Sequence, residues 1–257
     1  MLCHVKEIVL PSINDLIYGC GLATCRLSNS LYVWLYASDI WHLVPNGSGG
    51  FEVLEWPIYY VPSDDSLDFS AVSYVQEVSA LDDGNLLVLR YVFYLDNDEV
   101  DNILSIHKPD GSVIRNIKLS YDAENTNITE LSNITMQSNG YFVYAQTTDN
   151  PSFGCIIREA DKDGKAFRNF RYSHEVSPSF NAFKHLFLDT CDRVIFLDGY
   201  DKCIFLDCEL NFLEILQIKL ASEVDWNSVL YADFDKDTNE MVVAYWNNDF
   251  LFLKLTL

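Results

Sequence analysis

The 257-residue sequence predicts an all-β fold, a single β-propeller of four-stranded antiparallel blades. Three observations predict this architecture: strand patterns that recur about 50 residues apart, Asp-Gly or Asn-Gly turns inside the repeats, and no sustained helical period. Because a propeller blade is a four-stranded meander, each repeat corresponds to one blade. We therefore expect one domain over residues 1–257 with five blades.

The clearest blade pattern spans residues 77–121. Two strand-like runs flank the Asp83-Gly84 turn, and two more flank the Asp110-Gly111 turn. Asp-Gly between such runs is a strong signal for a β-hairpin. The segment therefore predicts two hairpins joined by a longer loop, which is the path of one blade.

The second strand of each repeat is a short apolar run directly after a turn. The steps between successive starts are 55, 55, 53 and 47 residues. Runs that are apolar on both sides suit strands covered on two faces, as blade packing requires. The predicted starts are Leu31, Leu86, Tyr141, Val194 and Met241. The predicted blades are about 14–61, 69–120, 129–173, 182–220 and 227–257.

Outer strands repeat as well. Residues 113–120 match residues 166–173 in chemical type at a 53-residue offset, with 213–220 and 51–57 as looser copies. The alternation of apolar and charged residues predicts half-exposed strands.

The two termini predict how the ring closes. The fifth repeat stops after its third strand, residues 249–257, whereas residues 5–10 form an extra strand with the outer-strand pattern. We expect this N-terminal strand to complete the fifth blade and remove two exposed edges.

This arrangement resembles the NHL and TolB-like propeller repeats. The resemblance lies in Asp83-Gly84, Pro109–Gly111, Asn139-Gly140 and Lys162–Gly164, and is clearest over residues 77–173. It implies a propeller but no single activity, because such propellers serve as lectins, scaffolds and hydrolases alike. Such propellers more often have six blades than five, so two alternatives stay open: a five-bladed ring, or a ring whose N-terminal blade is missing from this chain.

Composition narrows the partner classes. The chain has 38 acidic and 17 basic residues, for a net charge of -21, which disfavours nucleic acid and anionic membrane as partners. The sequence has no apolar run long enough to span a membrane, and residues 1–6 lack the charged-then-apolar pattern of a signal peptide. The chain has seven cysteines, an odd number. We therefore expect a cytoplasmic protein with free thiols, or an exported one if a leader has been removed.

Familiar metal and catalytic motifs are missing from the sequence. Residues 159–164 begin like a calcium loop, but the twelfth position is Phe170 rather than a bidentate carboxylate. Residues 235–240 fail similarly, with Trp246 at the twelfth position. Both runs predict hairpin turns. The five histidines lack metal-ligand spacing, so His42 and His107 are expected to be packed or surface side chains.

Acidic residues concentrate in six predicted segments that join second to third strands or one blade to the next: 62–69, 95–102, 120–130, 146–153, 173–181 and 221–227. These 51 positions contain fourteen acids and no lysine or arginine, whereas average composition gives about seven acids and three bases. The acids are Asp64, Asp65, Asp68, Asp96, Asp98, Glu99, Asp101, Asp122, Glu124, Glu130, Asp149, Glu175, Glu223 and Asp225.

Three functional interpretations stay open. The first is a non-catalytic recognition module whose acidic loop face binds a basic protein or a small ligand. It needs no cofactor, although residues 96–101 would suit calcium. The second is a hydrolase or lactonase-like enzyme with carboxylates around a central channel. Only Glu130 precedes an inner strand suitably, because the others begin near Gly21, Tyr74, Lys184 and Val229. The third is a merely solubilising acidic surface.

Overall fold

The computed structural model describes residues 20–35, 40–47, 51–56, 71–94, 100–119, 128–148, 155–172, 183–198, 202–218, 229–246 and 250–256. Regular structure in these ranges consists of nineteen β-strands. They form five sheets, in each of which every strand pairs antiparallel with the next strand in sequence. Each complete sheet is therefore a four-stranded meander, the blade of a β-propeller.

The first two blades belong to one compact unit, residues 1–119. Blade 1 contains β1 (Cys20–Cys25), β2 (Ser30–Leu35), β3 (Ile40–Pro45) and β4 (Phe51–Trp56). Blade 2 contains β5 (Ala71–Ala80), β6 (Leu86–Tyr94), β7 (Val100–His107) and β8 (Val113–Lys118).

The second compact unit, residues 120–257, contains the other three sheets. Blade 3 contains β9 (Ile128–Met136), β10 (Phe142–Thr148), β11 (Cys155–Ala160) and β12 (Ala166–Tyr172). Blade 4 contains β13 (Phe183–Leu188), β14 (Val194–Asp198), β15 (Lys202–Leu206) and β16 (Phe212–Gln217). The fifth sheet contains β17 (Val229–Asp235), β18 (Glu240–Trp246) and β19 (Phe250–Thr256).

The structure confirms the all-β propeller architecture and the strand spacing. The second strands β2, β6, β10, β14 and β18 begin within one residue of the predicted starts. Within each unit, the first strand of one sheet lies beside the first strand of the next, as β1 does beside β5 and β13 beside β17. First strands are therefore the inner strands of their blades, as the repeat predicted.

The described residues form four complete blades and one three-stranded sheet, so the count of five blades stays a prediction. The strand proposed to close the ring, residues 5–10, lies outside the described residues. Its expected partner is present as β19, which pairs with β18.

Seven of the tight turns share one backbone path. The fourth residue of each turn donates its N–H to the carbonyl of the first, for example Gly84 to Leu81 at 3.0 Å and Leu210 to Asp207 at 3.0 Å. That fourth residue has a positive φ. In blades 2 and 3 it is glycine, which adopts this conformation without strain. In the other turns it is Asn29, Asp192 or Leu210.

In the first unit, an aromatic side chain joins blade 1 to blade 2. Trp34 is buried with Val75, Val78 and Leu86, and its Nε1 donates to the carbonyl of Gln76 at 3.3 Å. The indole lies against β1, where a Cβ on Gly21 would come within 1.9 Å of its ring. Glycine is therefore required at position 21 to admit the indole.

Two apolar clusters fill the second unit. One packs the faces of blades 3 and 4 together around Ile157, Phe196 and Leu206. The other packs blade 4 against the fifth sheet around Phe205 and Phe234. Strands β14 and β15 contribute to both clusters, which explains why their residues are almost entirely apolar.

Five of the seven cysteines are free thiols, as expected from the sequence. Cys25, Cys155 and Cys203 are buried, whereas Cys191 and Cys208 are exposed in turns. Burial raises the pKa of Cys155 well above its ordinary value, and burial together with nearby Asp198 raises that of Cys203 to about 12. The buried thiols therefore act as small apolar side chains.

Candidate functional site

We distinguish two ends of each sheet by its connections. The turn end carries the tight turns between strands one and two and between strands three and four. The loop end carries the connections between strands two and three and from one sheet to the next. The fourteen predicted acidic residues belong to loop-end segments.

The structure describes two of these fourteen, namely the side chain of Asp101 and the backbone of Glu130. The other twelve lie outside the described residues, so their role as a binding set stays a prediction. They are Asp64, Asp65, Asp68, Asp96, Asp98, Glu99, Asp122, Glu124, Asp149, Glu175, Glu223 and Asp225.

Asp101 lies near the loop end of blade 2 and has a cationic neighbour. Its Oδ1 is 2.6 Å from Nζ of Lys118, and its Oδ2 accepts a hydrogen bond of 3.3 Å from the Tyr94 hydroxyl. Lys118 comes from β8, the strand that pairs with β7. Counting charges within loop segments missed this lysine because it lies in a neighbouring strand. The carboxylate is thus largely buried while the ammonium group remains exposed.

Glu130 lies within the inner strand β9, whereas the sequence predicted it just before that strand, and it pairs with Thr147 across the sheet. A register shift lies immediately beside this pair. The side chain of Glu130 lies outside the described part of the structure. The hydrolase interpretation, which depends on that carboxylate, therefore stays a prediction.

Blade 3 holds a buried polar pair that sequence reasoning did not find. Arg158 donates through Nε to Oε1 of Gln146 at 2.5 Å, and both residues are buried. Nε2 of Gln146 has no hydrogen-bond partner among the described residues. The pair is a polar contact inside the blade, because both residues and the Nε2 atom of Gln146 are buried.

A second buried carboxylate near a loop end has a structural role. Asp198, at the end of β14, accepts the backbone N–H of Lys202 at 2.8 Å and the Tyr172 hydroxyl at 2.9 Å. Because Tyr172 belongs to blade 3, the second bond links two neighbouring blades. Asp198 therefore shapes the loop it precedes and ties it to blade 3.

The turn ends of blades 3 and 4 carry an ionic cluster. Arg168 donates to Glu159 at 3.0 Å and to Glu209 at 3.3 Å. Glu159 is fully buried, and its Oε1 has no partner among the described residues. Burial raises the pKa of Glu159, while the Arg168 guanidinium partly opposes that increase. Glu209 lies on blade 4, so the arginine bridges the two blades.

The two calcium-like runs are turns, in agreement with the prediction. Asp161 accepts the N–H groups of Asp163 and Lys165, each at 2.9 Å, which leaves its Oδ1 engaged by the backbone. Asp235 accepts the N–H groups of Asp237 and Thr238 in the same way. Across the described ranges, no group of three or more His, Cys, Asp or Glu side chains is arranged to hold a metal ion.

The described histidines in strands have packing roles. His42 stacks on Tyr32 with ring centroids 4.4 Å apart, and burial lowers its pKa. Buried His107 lies with Nδ1 3.1 Å from the carbonyl of Gly111, and burial lowers its pKa as well. His185 accepts the backbone N–H of Ala232 at 3.1 Å. These contacts confirm that His42 and His107 are packed side chains.

A signal for the buried polar residues was present in the sequence. Arg90, Arg158 and Asp198 each interrupt or end an apolar run in a second or third strand. A charged residue there has to find a partner, because an isolated buried charge is costly. Pattern alone could not name those partners, since they come from other strands.

Comparison with known proteins places the chain by fold only. No protein-family profile and no curated protein matches the sequence. A protein of unknown function from Dyadobacter fermentans is similar, with a TM-score of 0.55, 14% identity, and coverage of 90% of this chain and 74% of that one. A protein of unknown function from Bacteroides caccae is similar with a TM-score of 0.51 and 11% identity, and the match covers 88% of this chain and 69% of that one. The Dos1 propeller gives a TM-score of 0.47 at 13% identity, and this chain spans 54% of its length.

At such identities the likeness concerns the fold alone. It points to no particular activity. Among the residues that the structure describes, none forms a helix with the length and apolar character of a membrane span.

Proposed function

We propose that this chain is a non-catalytic recognition propeller that binds a basic protein partner at the loop ends of its blades. The observation that carries the proposal is the distribution of charge: fourteen acids and no lysine or arginine within 51 loop-end positions. The resemblance of its repeats to NHL and TolB-like propellers is compatible with such a role. Loops on a rigid β scaffold are also where binding residues concentrate.

The turn ends support the proposal by contrast. Their carboxylates are already used by the protein, because Asp83, Asp110, Asp161, Asp189 and Asp207 each accept backbone N–H groups of their own turns. These acids follow from turn geometry. Tight turns require such acceptors for their N–H groups. The long loop-end segments do not, so turn geometry does not explain why they contain acids and no bases.

Asp101 illustrates the chemistry that a partner would use. One oxygen of its carboxylate lies 2.6 Å from the ammonium nitrogen of Lys118, and the other accepts a hydrogen bond from the Tyr94 hydroxyl. Because the ammonium comes from an exposed side chain, this pair alone stabilises the protein little. A basic partner would meet several such carboxylates at once, and its binding would weaken as salt increases.

The proposal is tested with an oligolysine peptide as the probe, in low and physiological salt. The loop-end variant is Asp96→Asn, Asp98→Asn, Glu99→Gln and Asp101→Asn. The matched control, Glu52→Gln, Asp82→Asn, Asp163→Asn and Asp237→Asn, removes the same charge from exposed strand and turn positions. We expect the peptide affinity to fall more than about ten-fold in the first variant and less than about three-fold in the second.

An equal loss of peptide affinity in both variants would show that only net charge matters, and would contradict the proposal.

Calcium binding is the second part of the test. If millimolar calcium raises the melting temperature of the parent and not of the loop-end variant, the acids at 96–101 bind a divalent cation as well. If calcium stabilises neither protein, calcium has no part in the function.

A further inference from the structure

The outer strands of the blades form sheet edges, and β16 differs from the others. The edges are β4, β8, β12 and β16, each of which is the last strand of its sheet. β16 has β15 as its one neighbour among the described strands, and all six of its residues are exposed. An edge strand presents a row of backbone N–H and C=O groups that another strand can use.

The exposed side chains of β16 are mostly apolar. Phe212 is 52% exposed, Leu213 46%, Ile215 45% and Leu216 38%. Because side chains alternate along a strand, these four lie on both faces of the edge. Exposed apolar groups clustered in this way mark an interaction site more often than isolated ones do.

The other edges carry charged side chains that oppose pairing. β8 contains Arg115 and Lys118, and β12 contains Arg168 and Arg171. β4 contains two glutamates among six residues. Charged residues on an edge are a common protection against unwanted strand addition. β16 has a single charge, Glu214, and so has the weakest protection of the four.

Charge and area decide what kind of strand fits this edge. The only charge on β16 is the negative charge of Glu214. In the turn before it, Asp207 already binds backbone N–H groups and Glu209 already binds Arg168. A second copy of the chain would bring another net charge of -21, which opposes self-association. An edge of six residues is also short for the roughly 1,000 Å² that a stable interface between folded proteins needs.

We propose that β16 accepts an extended segment of a partner protein in which apolar residues alternate with lysine or arginine. Such a segment adds a fifth strand to blade 4 through main-chain hydrogen bonds. Its basic residues face Glu214, while its apolar residues cover Leu213 and Ile215. This site lies on an outer strand, so it is separate from the loop-end acids and is tested by different variants.

The test uses a synthetic peptide of alternating lysine and valine, and the same peptide with N-methylated backbone amides. N-methylation keeps the charge and removes the main-chain donors needed for strand addition. We expect the parent peptide to bind the full chain and the methylated peptide to bind at least about ten-fold more weakly. Fluorescence anisotropy measures both affinities.

Two exposed edge positions provide matched variants, Ile215→Lys on β16 and Ile114→Lys on β8. We expect the first to weaken peptide binding at least ten-fold and the second less than three-fold, because both add one positive charge but only one lies at the site. The loop-end charge variant should retain the preference for the unmethylated peptide. That retention separates this proposal from the proposed function.

Equal binding of the two peptides, or equal effects of the two lysine substitutions, would overturn the proposal. Sedimentation of the parent chain provides a further check. A dimer that becomes monomeric in Ile215→Lys would mean that the edge pairs with a second copy, which also contradicts a basic partner segment.

Discussion

Turn-end carboxylates lie among basic residues and backbone N–H groups, whereas the loop-end segments are acidic without any base. The eight described turns contain eleven acids and six lysines or arginines, against fourteen acids and none in the six loop-end segments. Seven of the eleven turn-end acids accept backbone N–H groups. The high content of Asp and Glu in this chain therefore has two origins: acids that accept backbone N–H groups in tight turns, and acids concentrated in the loop-end segments.

The difference shows that the role of an acidic residue depends on the backbone conformation around it. In a tight turn, several N–H groups point inward, and a short carboxylate two to four residues earlier in the chain accepts them. Asp110 shows the effect, since the hydroxyl and N–H of Ser112 lower the pKa of its carboxyl. A long connection imposes no such requirement, so a concentration of acids there calls for a different explanation.

The largest effect that tests this comparison is the loss of a buried turn-end carboxylate. Asp189 is 2% exposed at its side chain and accepts the N–H groups of Cys191 and Arg193 as well as Nε of Arg193. We expect Asp189→Ala to lower the free energy of unfolding by about 3 kcal/mol, because the N–H groups of Cys191 and Arg193 and the Arg193 guanidinium all lose the same buried acceptor. Urea denaturation measures the change.

The matched substitution at a loop end is Asp225→Ala. We expect it to change the free energy of unfolding by less than about 0.5 kcal/mol. A loss comparable with that of Asp189→Ala would break the comparison, since it would mean that loop-end acids also close backbone structure.

An intermediate effect is expected at the glycines with positive φ. Gly140 has a φ of 83°, and a Cβ there would meet Cε of Lys162 at 3.0 Å. The lysine side chain can move, so the cost of Gly140→Ala should come from the backbone and amount to about 1–2 kcal/mol. Gly47→Ala is the control, because no atom lies within 4 Å of its Cβ position and its φ is not in the left-handed region. Thermal unfolding of both variants should show a loss for Gly140→Ala alone.

The smallest effect concerns pH. Burial raises the pKa of Glu159 in the folded protein, so the stability that this carboxyl contributes is fully present below its ordinary pKa and is lost as the pH rises through the raised value. The stability of Glu159→Gln, measured relative to the parent, should therefore rise as the pH increases above about 4, the ordinary pKa of a glutamic acid.

A second variant sharpens the same measurement. Arg168→Met removes the guanidinium that opposes the effect of burial, so the decline in stability with rising pH should become steeper than in the parent. A difference between Glu159→Gln and the parent that stays flat or falls with pH would show that Glu159 is not a carboxyl of raised pKa.

Much of the architecture could be predicted because its signals are local. Apolar runs after turns located the second strands to within one residue, and Asp-Gly or Asn-Gly pairs located the hairpins of blades 2 and 3. Turns without glycine carried a weaker signal. Asp189 and Asp207 begin turns in blade 4 whose fourth residues are Asp192 and Leu210, and their carboxylates hold the backbone through two N–H groups each. An aspartate at the first turn position was the sign that glycine-based patterns overlooked.

The partners of the buried polar residues could not be predicted. Arg168 reaches Glu209 from 41 residues away, and Asp198 reaches Tyr172 from 26. Lys118 supplies the base that the loop segment of Asp101 lacks. In each case the partner lies on another strand or blade, so it is set by strand register and blade packing.

The sequence alone determined the β class, the order of strands, the positions of most turns and the imbalance of charge between loop-end segments and the rest of the chain. These properties depend on neighbours within a few residues, where side-chain period and turn chemistry act directly. Tertiary structure decided which carboxylates are buried or paired, and that β16 remains an apolar edge. Those properties depend on which strands meet, because burial and ion pairing arise between segments distant in sequence.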